Sequence, residues 1–229
     1  MLQLDQRLQA VADFVPADAP AADIGTDHGY LAASLVESGR VPRVIASDLN
    51  LGPCEAARHT VSVQALQDKV EVRQGSGLEP LAPGEVATVC IAGMGGQLIA
   101  NLCAASPDVL RTVHTLVLQP MNAAASLRHW LYTHGWYIAD EALAIADGRI
   151  YEIIQARHGR RRVPEPVLLE IGPVLWAKKP PELRHHIESL LFTHRRAAAG
   201  MERSPRAVHS KKYKDLSKRI KELEAHLHW

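Results

Sequence analysis

Seven residues carry most of the chemistry legible in this sequence: Asp23-Ile24-Gly25-Thr26-Asp27-His28-Gly29, which end an apolar run and open a helical pattern. Glycine lacks a Cβ and tolerates positive φ, so this loop can approach a ligand closely. The amides of a helix start attract negative charge, so a ligand carboxylate is expected there. Asp48 ends the next strand-like run, and an acid at that place can accept two hydrogen bonds from ribose hydroxyls, with Leu49 beside it. The third run ends in Gln74-Gly75-Ser76-Gly77-Leu78. Its glycines suit a loop lying against an adenine ring, with Ser76 or a backbone amide at the ring edge. The fourth ends in Ile91-Ala92-Gly93-Met94-Gly95-Gly96, where three glycines keep the backbone low and open a slot. Met94 either lines that slot or fills a core gap. The dinucleotide fingerprint GxGxxG is missing, which speaks against a nicotinamide-dependent oxidoreductase.

These loops need a scaffold that brings strand ends together. Strand patterns at 20–25, 43–48, 69–74, 86–92 and 114–119 are interleaved with helical ones at 28–38, 51–64, 95–105 and 123–134. Two last strands, 136–146 and 149–156, flank Asp147-Gly148, a strong hairpin signal. The pattern predicts an α/β fold, a doubly wound, mainly parallel sheet with an antiparallel edge hairpin. Ligands bind such folds at the carboxyl ends of the strands, where the motifs above fall. After Gln155 the texture becomes basic and Pro-containing. Residues 167–177 are apolar and are expected to pack back on the sheet domain. Helices then run from about Pro181 to Met201 and from about Val208 to Trp229, implying an antiparallel pair. The expected domains are 1–160 and 161–229.

The chain has 229 residues, 47% hydrophobic and 22% charged, normal for a globular protein with a sizeable core. No apolar run approaches the roughly 20 residues a bilayer span requires. The amphipathic N-terminus reads as a helix and not as a signal peptide. Cys54, Cys90 and Cys103 lack CxxC or metal spacing, which suggests a reduced, cytoplasmic protein without a bound metal. No obligate protein partner is evident. The net charge of +1 hides a division: residues 1–156 hold 9 basic and 17 acidic side chains, residues 157–229 hold 17 and 8, giving balances of −8 and +9. The basic segment is a polyanion contact or simply a set of solvated helix faces.

The ordered series Asp-Ile-Gly-Thr-Asp-His-Gly-Tyr (23–30), Gln-Gly-Ser-Gly-Leu (74–78), Ile-Ala-Gly-Met-Gly-Gly (91–96) and Leu-Gln-Pro (118–120) resembles the bacterial tRNA (adenine-22) N1-methyltransferase family. So do Leu4–Ala12, Leu127–Leu131 and Asp147–Glu152. The resemblance covers roughly residues 1–156. It implies a Rossmann-like class I methyltransferase domain, S-adenosylmethionine as methyl donor, tRNA as substrate, and a helical, coiled-coil-like C-terminal domain that helps hold tRNA. It places Asp23, Gly25, Asp27, His28, Asp48, Gln74, Ser76 and Gly93 around the cofactor, with Thr26, Leu49, Gly75, Gly77, Ala92 and Met94 on the same loops. Two positions depart from the family pattern. Ser76 stands where the family carries an acid, and Asn122 lies one place later than the expected Gln-Pro-Asn.

The reaction implied needs alignment more than a base. Adenine N1 has an in-plane lone pair and can attack a sulfonium methyl directly. Methylation makes the ring cationic, and Asp27 is the expected stabiliser, or the group that orients the adenine amino group. His28 and Tyr30 share its loop and helix start; Tyr30 could stack on a base. Met94 and Asn122 complete the candidate catalytic set. Arg160, Arg161, Arg162, Lys178, Lys179, Arg195, Arg196, Lys211, Lys212, Lys214, Lys218 and Arg219 are the candidate phosphate contacts. The alternatives are a methyltransferase for another RNA, and a nonenzymatic RNA-binding protein with a retained nucleotide fold.

Overall fold

In the computed structural model, which describes residues 2–229, the apolar runs become the strands of one sheet. The chain runs α1 (Gln6–Phe14), β1 (Ala21–Ile24), α2 (Tyr30–Glu37), β2 (Val44–Asp48), α3 (Leu51–Val63), β3 (Val70–Gln74), β4 (Thr88–Met94), α4 (Gly96–Ala105), α5 (Pro107–Thr112), β5 (Thr115–Pro120), α6 (Ala124–Thr133), β6 (Trp136–Ala146) and β7 (Arg149–His158). Small and β-branched residues without polar alternation make β1 and β5 buried along their whole length, as strands covered on both faces must be.

The sheet order is β3-β2-β1-β4-β5-β7-β6. The pairs among β1 to β5 are parallel, while β7 pairs antiparallel with both β5 and β6. Strand order reverses between β1 and β4, the switch point at which such sheets open a ligand crevice. The hairpin joining β6 to β7 turns on Asp147 (φ 49°) and Gly148 (φ 69°), and Ala146 pairs with Arg149 across a two-residue loop. Two successive positive φ values match the twist of the strands they join.

Asp5 caps α1: its side chain accepts from Leu8 N–H at 2.6 Å. Val11 and Ala12 of that helix are buried. Beneath α6, Arg128 is fully buried and bonded to Glu141 at 2.7 Å and Glu152 at 2.6 Å. That charge cluster ties α6 to β6 and β7, and the opposite charges and hydrogen bonds offset the cost of burying a guanidinium.

The chain divides into two compact units, the first through Val163 and the second from Pro164 to Trp229. The second unit is helical: α7 (Pro166–Ile171), α8 (Pro173–Lys178), α9 (Leu183–Glu202), α10 (Pro205–Val208) and α11 (Lys211–Ala225). Residues 167–177 belong to this unit. Gly172 (φ 100°) and Pro173 split them into two short helices, and α7 lies against α9. Within the unit, α9 and α11 run antiparallel, since Glu202 accepts from Tyr213 Oη at 2.8 Å and Arg184 donates to the Leu227 carbonyl at 3.1 Å. No described helix is long and apolar enough to cross a membrane.

Candidate functional site

The loop after β1 is pinned to the end of β2. Gly25 N–H and Thr26 N–H both donate to the Ser47 carbonyl, at 2.8 and 3.0 Å. Gly25 adopts φ 73°, a left-handed conformation that glycine enters without steric cost. Asp27 also has positive φ, 51°. Aspartate enters this region more readily than most residues, and strain at a loop tip of this kind is a pointer to function. The Asp27 side chain is exposed, with His28 Nε2 3.8 Å from its carboxylate. The His28 and Tyr30 rings stack at 5.3 Å with planes 15° apart.

Asp23 lies behind this exposed face, 4% exposed, and accepts a 2.6 Å hydrogen bond from Thr26 Oγ1. Burial raises its pKa from 3.8 to about 6, against the opposing influence of that bond and of one from the Ala32 amide. The neighbouring Asp48 raises it further. A buried carboxylate held near neutrality invites a cationic partner.

Asp48 joins the second and third strand ends into one rim. Its carboxylate accepts from Asn50 N–H at 3.0 Å and, more distantly, from Asp27 N–H at 3.4 Å. Its carbonyl accepts from Gly75 N–H at 2.9 Å, and Gln74 Nε2 donates to the Leu49 carbonyl at 3.1 Å. Ser76 and Gly77 follow in the next turn. Carboxylate oxygens carry more acceptor sites than these bonds use, leaving room for a diol.

The fourth strand end is fixed from an unexpected direction. Gly93 N–H donates to Gln119 Oε1 at 3.1 Å, and the same oxygen accepts from Arg7 Nη1 of α1 at 2.8 Å. Gln119 is fully buried, and its amide nitrogen donates to the Pro120 carbonyl at 3.1 Å.

These pieces enclose a cleft of about 340 Å³. Of the sequence-predicted residues, Asp23, Gly25, Thr26, Asp27, His28, Tyr30, Ala92 and Gly93 line it. Asp48, Leu49 and Gln74 to Gly77 form the adjoining rim. Met94 turns its methyl toward Gly25. Asn122 does not line the cleft: it sits beside Gly95, and its carbonyl accepts from Gly96 N–H at 2.9 Å. Sequence reasoning missed Asp5, Arg7 and Leu8, which α1 brings to the cleft. The signal available was spacing, since Arg7 precedes the buried Val11 by four residues and so shares its helix face. Among the described residues, no group of three His, Cys, Asp or Glu is arranged to hold a metal.

The basic side chains divide between the units. Arg160, Arg161 and Arg162 follow β7, and Arg161 lies over the Tyr137 ring at 4.8 Å. In the second unit, Arg195 is paired with Glu224 at 2.8 Å, Arg219 faces Glu170 and Glu222, and Lys179 lies over Trp176. Lys178, Arg196, Lys211, Lys212, Lys214 and Lys218 are exposed.

A family model described as a methyltransferase domain matches residues 4–154. The tRNA (adenine(22)-N(1))-methyltransferase of Bacillus subtilis is 40% identical over 160 residues, which are 70% of this chain and 67% of that protein. The crystal structure of the B. subtilis m1A22 tRNA methyltransferase TrmK superposes with a TM-score of 0.90 at 31% identity, covering 99% of this chain and 100% of that one. Sp1610 of Streptococcus pneumoniae, solved in complex with S-adenosyl-L-methionine, gives a TM-score of 0.88 at 30% identity, covering 99% and 100%.

Proposed function

The chain belongs to the bacterial tRNA (adenine-22) N1-methyltransferase family, and from that premise we propose that it transfers a methyl group from S-adenosylmethionine to N1 of adenine 22 in tRNA. The observation that carries this reading is the charge of the cleft at the β1–β4 switch point. Asp5, Asp23 and Asp27 line it, in a part of the ligand site where S-adenosylmethionine bears two cations, an ammonium and a sulfonium.

The residues fit that ligand. Asp23 is a buried carboxylate bonded to the Thr26 hydroxyl and the Ala32 amide, both neutral, and an ammonium would satisfy it. Asp48 has acceptor capacity for two ribose hydroxyls, and the Gln74–Gly77 turn is tied to it for the adenine. Gly93, exposed and at φ 79°, presents bare backbone toward the reacting centre.

S-adenosylmethionine, when bound, supplies an electrophilic methyl and leaves as a neutral thioether. The acceptor N1 uses its own lone pair, so the protein supplies no strong base. Asp27, exposed at the mouth of the cleft, faces the positive charge that the ring acquires on methylation. The stacked His28 and Tyr30 offer an aromatic surface beside it on which an unstacked base can rest. Because N1 is used in base pairing, adenine 22 must leave its stack, and that requires a grip on the RNA elsewhere. Arg160 to Arg162 and the exposed lysines of the helical unit provide phosphate contacts that position the RNA without reading its sequence. This reading places the protein in the cytoplasm, where tRNA is modified.

The test is methyl transfer from labelled S-adenosylmethionine to unmodified tRNA transcripts, with the product nucleoside identified and mapped. The expected product is 1-methyladenosine at position 22. Asp27→Ala should abolish transfer even at saturating cofactor. A different methylated nucleoside would sink the position and acceptor atom; absence of both transfer and cofactor binding would leave a nonenzymatic RNA-binding protein.

A further inference from the structure

The cleft holds one permanent cation. Among its described lining residues, Arg7 is the only arginine or lysine, set against the carboxylates of Asp5, Asp23 and Asp27. Its guanidinium is held by Gln119 at 2.8 Å and lies 5.8 Å from the centre of the Tyr151 ring. The carboxylate of Asp5 is 3.8 Å away and half-exposed. Arg7 is thus fixed in place by a neutral acceptor, and among the described residues most of its five N–H donors are left for a ligand.

The other expected anion site is compromised. The start of α2 is the place where local sequence favours a ligand carboxylate, but its Ala32 amide already donates to Asp23. A second anion there would meet the Asp23 charge at close range. The amino acid end of the proposed cofactor carries a sulfonium, an ammonium and one carboxylate. The cleft offers both kinds of partner: carboxylates for the two cations, and a single guanidinium for the carboxylate.

Building on the proposed use of S-adenosylmethionine, we infer that Arg7 is the residue that binds and positions the cofactor carboxylate. Gln119 sets the geometry. Its Oε1 accepts from both Arg7 and Gly93 N–H, so the guanidinium is registered against the β4 end that borders the reacting methyl. A planar fork held in this way can engage a carboxylate through two parallel bonds, which lysine cannot copy.

The test is calorimetric and needs no turnover. Three ligands are titrated into the wild-type chain and into Arg7→Met and Arg7→Lys: S-adenosylmethionine, its decarboxylated analogue, and 5′-methylthioadenosine, which lacks the whole amino acid end. Wild type should prefer S-adenosylmethionine over the decarboxylated analogue by at least tenfold. Arg7→Met should lose that preference to within about twofold, with the affinity for 5′-methylthioadenosine unchanged; Arg7→Lys should retain only part. Equal weakening toward all three ligands would make Arg7 a merely structural residue and overturn the inference. So would a wild type with no preference for the carboxylate, a result that stands even if the variants fail to fold. Failure of the wild type to bind S-adenosylmethionine at all would overturn the cofactor reading itself, and is distinct from binding without discrimination.

Discussion

Met94 closes over Gly25: a Cβ built at position 25 would stand 2.2 Å from the Met94 terminal methyl. Two loops separated by most of the β1-to-β4 segment therefore meet at a point where one residue has no side chain. Gly25 also holds φ 73°. Gly25→Ala should cost about 1–2 kcal/mol from the left-handed backbone alone, plus the displacement of Met94 into the cofactor slot. The expected result is a modest fall in unfolding temperature and at least a tenfold loss of S-adenosylmethionine affinity by calorimetry. Unchanged affinity would show that this contact does not shape the site.

Asp23 makes stability and cofactor binding respond oppositely to pH. Its folded-state pKa is raised to about 6 from 3.8. The native chain therefore keeps a proton that the unfolded chain has released. The associated stability is full below about pH 4 and is lost as pH rises through 6. At about 1.4 kcal/mol per pH unit the loss amounts to about 3 kcal/mol. An ammonium ligand needs the ionised form, so cofactor affinity should climb across pH 6. Thermal unfolding without cofactor, compared between the wild type and Asp23→Asn at pH 5 and 7.5, checks the first statement. Titration calorimetry at the same two values checks the second. A wild-type affinity independent of pH would contradict it.

Asp48→Asn removes the charged acceptor at the end of β2 while keeping the side-chain shape. Hydrogen bonds to a charged group contribute about 1.5–3 kcal/mol. Affinity for S-adenosylmethionine should fall roughly 10- to 100-fold by the same free energies, and affinity for free methionine should not change. An equal loss for both would point to a disturbed loop instead.

Arg128→Ala would remove the guanidinium that pairs with Glu141 and Glu152 beneath α6. Breaking a buried pair by removing one partner costs about 3–5 kcal/mol. Chemical denaturation should report a loss of that size. The molecules that remain folded should bind cofactor as the wild type does, since the cluster does not line the cleft.

Replacing Arg160, Arg161 and Arg162 together by glutamine should weaken tRNA binding without changing which nucleoside is methylated. The dependence of log affinity on log salt concentration should flatten by about 0.7–0.9 for each phosphate that is no longer neutralised. Filter binding at several salt concentrations measures the slope; an unchanged slope would remove these arginines from the RNA path.

Much of the site is legible in the sequence because of topology. In a parallel sheet the residues just past each strand end share one edge, so Asp23, Asp48, Gln74 and Gly93 group together once the alternation of strands and helices is seen. The hairpin at Asp147-Gly148 is equally readable, because its positive φ values demand those residue types. Residues 167–177 resist assignment to helix or strand because a short apolar run fits either; the structure makes them two short helices. Asn122 lies close to the motifs in sequence, yet its carbonyl supports the start of α4 and its side chain stays out of the cleft.

The sequence by itself, through its motifs and the family resemblance they carry, determined the ligand class. Loop chemistry at strand ends depends on local residue types, and short-range sterics decide which residues can turn, cap or approach a ligand there. Only the tertiary structure decided the cation of the cleft. Arg7 and Gln119 are 112 residues apart, and their 2.8 Å bond exists because α1 packs near the ends of β4 and β5. No local preference encodes that meeting. It follows from burial of the α1 apolar face, which carries Arg7 to its place along with Val11 and Ala12.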